Sequence, residues 1–172
     1  MTRAGRRVLA PAAACLAAAC SPGDAPVSPS LELPRWQAAS LDDGRRVGFE
    51  ASDGAVVVNV WATWCEPCRR EMASLEKAHL ALAPRGIRVV GVSVDRDVLL
   101  AREFVRRLGL TFPNLSDPAQ ALVRDRLGVT RLPTTLAIGR DGRVRWREEA
   151  ARDWSEPGRL AWVERSLAPG GR

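Results

Sequence analysis

Val56–Cys68, VVVNVWATWCEPC, constrains the fold more than any other stretch. Its β-branched run lacks the polar alternation of a half-solvated strand, so it suits a strand buried on both faces. Cys65 and Cys68 follow with two residues between them, and Met72, Leu75 and Leu82 then recur at helical spacing. A buried strand therefore hands over to a helix N-terminus, with a dithiol at the junction. Cysteines spaced this way at a helix start lie one turn apart and can close a small disulfide ring. Cys65 meets the free N–H groups and positive dipole end of the helix, which favour an anion. A thiolate there has a lowered pKa and is the attacking species. Cys68, one turn further in, is expected to be more buried and to resolve a mixed disulfide. Pro67 fits the first helical turn, where its missing N–H costs little. Trp61 and Trp64 supply apolar bulk to shield the inner sulfur. Glu66 disfavours a neighbouring thiolate and so pushes the pair toward the reducing side, while Arg69 and Arg70 oppose it if they face the sulfur.

A zinc site needs four ligands. Apart from Cys65 and Cys68 the chain offers only Cys15, Cys20 and His79, and the two cysteines lie in a leader. No metal and no cofactor are expected. A purely structural bridge across so short a ring would stabilise little. The pair reads as a redox dithiol beside a βαβ unit.

WATWCEPC after VVVNV resembles the thioredoxin-like proteins of the TlpA/ResA type, which are membrane-tethered, extracytoplasmic thiol–disulfide oxidoreductases. Glu66-Pro67 inside the motif is similar to ResA, a reductant of apocytochrome c. The resemblance runs from about Trp36 to Val144. Leu132-Pro133-Thr134-Thr135, before an apolar run, resembles the family's cis-proline loop, which faces the dithiol and binds the substrate chain. The resemblance implies an α/β, thioredoxin-like three-layer fold: a central mixed sheet, helices on both faces and an N-terminal β-hairpin extension. It implies Cys65 and Cys68 as the catalytic pair, with Trp64, Glu66, Pro67, Leu132 and Pro133 forming the motif and substrate loop. The implied clients are exported disulfide-containing proteins, with a membrane thiol reductase as electron donor and a monomeric state. Two positions depart from the pattern. Asn59 stands where classical thioredoxins carry a buried aspartate, and Arg96 stands where ResA-like proteins carry a glutamate after the next strand. Asp95 or Asp97, beside Arg96, is the alternative carrier of that glutamate's role, though at a strand end the two read first as solvated loop charges or the N-cap of the next helix.

The same residues would serve a net oxidase or isomerase, and a non-enzymatic Cu(I) carrier could use the same soft ligands. A peroxidatic cysteine would need a threonine or serine and a proline just upstream. Thr63 is present, but no proline precedes Cys65 at the expected distance.

Residues 1–19 carry Arg3, Arg6 and Arg7 ahead of a short apolar run, which reads as a signal peptide. Ala17-Ala18-Ala19-Cys20 resembles a lipobox, with Cys20 as the lipidated residue. Residues 20–34, rich in proline, form a linker, and residues 35–168 form the thioredoxin-like domain. This places the chain outside the cytoplasm, anchored to the membrane by lipid. The net charge is +6, and cleavage before Cys20 removes three arginines and no acids. The basic residues do not cluster in a block, so nucleic acid is not an expected partner.

Within the domain, Asp42-Asp43-Gly44 signals a hairpin between two strands. A strand at Ala55–Trp61, a helix from Glu66 and a strand at Ile87–Val94 form a right-handed βαβ unit. Asp97–Leu108 is a helix with Leu100, Phe104 and Leu108 on one stripe. Asp117-Pro118 caps a further helix to Leu127. Thr134–Gly139 and Arg143–Glu148 pair around Asp141-Gly142. Ser155 caps a last helix through Leu167. His79 reads as an ordinary helix-face residue, and Trp146, Trp154 and Trp162 as core packing with partial surface cover.

Overall fold

The computed structural model describes residues 35–50 and 53–168. The leader, the linker and Cys20 lie outside the described residues. Seven strands of the described residues form one sheet: β1 (Arg35–Ser40), β2 (Arg46–Glu50), β3 (Ala55–Trp61), β4 (Ile87–Ser93), β5 (Asn114–Ser116), β6 (Thr134–Ile138) and β7 (Val144–Glu148). Their order is β2-β1-β5-β4-β3-β6-β7. The centre, β5-β4-β3, is parallel, and every other pairing is antiparallel. The mixed sheet and the β1–β2 hairpin extension agree with the sequence. Gly44, with φ +76°, makes the hairpin turn where a side chain would be strained.

Every residue of β3 is buried, as its unbroken apolar run requires. Among the described residues three α-helices accompany the sheet: α1 (Glu66–Leu82), α2 (Val98–Leu108) and α3 (Pro157–Leu167). α1 packs against β4 and against α3. Its apolar stripe, Cys68, Met72, Leu75 and Leu82, faces the core. At the centre, Trp61 at the end of β3 donates its indole N–H to Asn114 Oδ1 of β5 at 3.0 Å and stacks obliquely on Phe104 of α2. That bond crosses β4 at Gly91, where an added Cβ would stand 2.0 Å from Asn114 Oδ1. The glycine exists to let the indole and amide meet.

Three local expectations are corrected. Leu100 and Leu108 do not reach the core, being 51% and 45% exposed. α2 instead turns Ala101 and Phe104 inward, which rotates Leu100 into solvent. Asp117 does not start a helix at once. Gln120 takes φ +58°, and the Asp117 carboxylate reaches on to accept from Val123 N at 2.8 Å. Only a wide π-type segment, Ala121–Arg126, follows. Ser155 does not cap α3. Its N–H and hydroxyl both bond Asp153 Oδ1, and Pro157, pre-set for the first helical position, makes Glu156 the cap. The tryptophans pack as expected: Trp146 and Trp154 are buried and stacked, with Trp162 tilted against Trp146 at the surface. No helix among the described residues is long and apolar enough to cross a membrane.

Candidate active site

The chain leaves β3 at Trp61 and re-enters regular structure at Glu66, so four residues carry it over the sheet end. Cys65 occupies the N-cap of α1 with extended backbone angles, and its sulfur accepts from Cys68 N at 3.3 Å. Cys65 and Cys68 are joined by a disulfide, with Cα atoms 5.3 Å apart. Cys68 is fully buried, whereas Cys65 retains 6% exposure. Both cysteines are thus buried, and what little exposure the pair keeps belongs to Cys65 at the helix tip. Pro67 sits in the first turn of α1. Trp64 projects outward at 68% exposure, while Trp61 is fully buried. The Glu66 carboxylate is held by Arg70 at 2.6 Å on the exposed helix surface, so its charge is partly offset. Arg69 leans back on the Thr63 carbonyl at 3.4 Å.

The Leu132–Pro133 peptide bond is cis. β6 starts immediately after it, and Thr134 pairs with Val60 near the end of β3. This register brings the proline loop to the same end of the sheet as the dithiol. Pro133 is buried, Leu132 is half-buried, and Trp64 and Leu132 line one small cleft of about 120 Å³. His79 lies on α1 beside Phe112, away from the disulfide.

Two buried carboxylates stand where the sequence reading does not put them. Asp95, two residues past the end of β4, is not a solvated loop charge. It is 3% exposed and accepts from Thr63 N with both oxygens (3.2 and 3.0 Å), from Thr63 Oγ1 (2.7 Å) and from Ser93 Oγ (2.8 Å). It clamps the loop that leads into Cys65. Asp97 is the N-cap of α2, as its position suggested, and Arg96 is exposed. The second carboxylate is Glu71 of α1, one turn after Cys68. It accepts from Asn59 Nδ2 (2.8 Å), Trp154 Nε1 (3.0 Å) and Arg152 N (3.2 Å). Burial pushes its pKa above the ordinary glutamate value, and the hydrogen bonds from Trp154, Asn59 and Arg152 offset part of that rise. Buried carboxylates thus stand around the dithiol unit both on α1, at Glu71, and in the segment after β4, at Asp95. The signal was present: Glu71 is a charged residue on the Cys68–Met72–Leu75 stripe.

The AhpC/TSA family profile matches residues 28–147. The chain belongs to the AhpC/TSA family. Among curated relatives, this AhpC/TSA-family chain is 30% identical over 114 residues to the thiol-disulfide oxidoreductase ResA of Bacillus thuringiensis, covering 66% of the chain and 65% of the relative. It is 38% identical over 90 residues to ResA of Geobacillus thermodenitrificans, covering 52% and 51%. The chain thus spans between half and just under two thirds of these relatives' length. A secreted disulfide oxidoreductase of Mycobacterium tuberculosis has the same fold, with a TM-score of 0.61 and 26% identity over 74% of this chain and 95% of that one. Within the AhpC/TSA family, the likeness to ResA agrees with the resemblance drawn from WATWCEPC.

Proposed function

We propose that this AhpC/TSA-family chain is a thiol–disulfide oxidoreductase that reduces disulfides in exported proteins. The observation that carries the reading is the asymmetric sulfur pair at the tip of α1, beside the cis-proline loop. In the reduced form the Cys65 thiolate attacks one sulfur of a client disulfide. A Cys65–client bond forms, the client S–S bond breaks, and the released client thiolate takes a proton. Cys68, having lost its proton, then attacks Cys65. The protein disulfide re-forms, and the second client thiolate leaves and is protonated. Two electrons and two protons have moved from the protein dithiol to the client. Glu71 follows Cys68 by one turn and keeps its proton to higher pH than an exposed glutamate, so it suits holding the proton that Cys68 gives up. Leu132 and Pro133 present backbone for an extended client segment, and Trp64 and Leu132 present apolar surface beside it.

The leader reading, with Cys20 as a lipid anchor and residues 20–34 as tether, puts the domain on the outer side of a membrane. Net reduction there requires a thiol donor across that membrane, because the compartment is oxidising. The resemblance of Glu66-Pro67 to the motif of ResA-type proteins favours apocytochrome c as a client. The purified chain, supplied with dithiothreitol, is expected to reduce insulin. A Cys65→Ser variant is expected to lose this activity completely. Insulin reduction no faster than with dithiothreitol alone would refute the assignment.

A further inference from the structure

Resting on that oxidoreductase reading, we propose that the preferred client segment is acidic: an extended polypeptide whose disulfide has Asp or Glu within a few residues. Trp64, the residue before Cys65, lines two clefts. The smaller runs toward Leu132, and its charged lining is Arg124 and Arg131. The larger, of about 370 Å³, carries Arg69 and Arg107, with Glu103 as its one carboxylate. Four guanidinium groups therefore border the place where a client must lie. Among the described residues none of the four meets a carboxylate within ion-pair distance. Arg69 rests on a carbonyl, Arg124 on Gln120 Oε1 at 2.7 Å, and Arg107 over the Phe104 ring at 5.7 Å. Several arginines elsewhere are matched to acids, as in Arg85–Glu164, Arg145–Asp141 and Arg152–Glu148. Even Glu66, the acid nearest the sulfurs in sequence, is taken up by Arg70.

Unmatched cations beside an apolar cleft select an apolar contact next to the client cysteine and a negative charge just beyond it. Arg131 directly precedes Leu132–Pro133, so a segment laid along that backbone passes its side chain. Such a field raises the encounter rate of an anionic partner by tenfold or more, and salt screens it.

The test uses the full chain, pre-reduced and freed of reductant. Its substrates are three cyclic disulfide peptides identical except for flanking Glu, Gln or Lys pairs. At low salt the Glu peptide is expected to be reduced about tenfold faster than the Gln peptide, and the Lys peptide more slowly than either. Raising the salt to about 0.5 M should collapse the difference. In an Arg124→Gln/Arg131→Gln variant the Glu-to-Gln rate ratio should fall toward one. Equal rates on the three peptides at low salt, or a ratio that survives both salt and the double substitution, would overturn the acidic preference. The oxidoreductase assignment would still stand if uncharged 2-hydroxyethyl disulfide is reduced. No turnover of that compound or of any peptide would overturn both.

Discussion

Asp95 is the residue through which the site depends on the sheet. Its carboxylate takes three hydrogens from Thr63 and Ser93 while nearly excluded from water. Removing it leaves a backbone N–H and two hydroxyls without their acceptor, and such losses cost about 1–3 kcal/mol when the groups are buried. Asp95→Ala is therefore expected to lose about that much stability in urea unfolding. It should also slow disulfide exchange, because the loop ahead of Cys65 is no longer held. Asp95→Asn retains one acceptor oxygen and should fall between. An alanine variant with unchanged unfolding midpoint and exchange rate would show that the clamp is idle. The residue could not be placed from sequence because a strand-end aspartate usually faces solvent. Its burial depends on Thr63, which lies 32 positions earlier and meets it only through the parallel β3–β4 pairing.

At the scale of elements, the β3-α1-β4 unit was legible because each signal was local. An unbroken β-branched run, a cysteine N-cap, Pro67 and an apolar stripe on α1 all point the same way. The α2 stripe was misread because Leu100 and Leu108 satisfy helical spacing as well as Ala101 and Phe104 do. Only the approach of α2 to Trp61 decides which side turns inward. The Asp117–Leu127 segment failed for a similar reason: Asp117 spends its carboxylate on Val123, beyond the reach of an N-cap. The central strands hold their spacing through a three-residue fit. A methyl on Gly91 would collide with Asn114 and with the Trp61 indole nitrogen, at 2.0 and 2.9 Å. Gly91→Ala should therefore cost about 1–3 kcal/mol through overpacking, read as a lower urea midpoint. An unchanged midpoint would mean that Trp61 and Asn114 can part without loss.

For the whole molecule, Glu71 ties the dithiol helix to the C-terminal tryptophans, since one carboxylate bonds Asn59 of β3 and Trp154 ahead of α3. Its folded pKa stands above the ordinary 4.5, so the native state holds this proton more tightly than the unfolded chain does. The stability it contributes is fully present below pH 4.5 and is lost as the pH rises through the raised value. Unfolding free energy followed over that window should fall with pH, and Glu71→Gln should flatten the fall. An unchanged slope in the variant would contradict a buried, proton-retaining Glu71. The central claim is that Cys65 alone makes the first bond with a client while Cys68 waits behind it. The most direct measurement mixes the purified, reduced Cys68→Ser protein with a disulfide peptide and maps the adduct by mass spectrometry, with Cys65→Ser in parallel. The account predicts a stable peptide adduct on Cys65 in the first protein and none on Cys68 in the second. An adduct formed equally well on Cys68, or none on either cysteine, would contradict it.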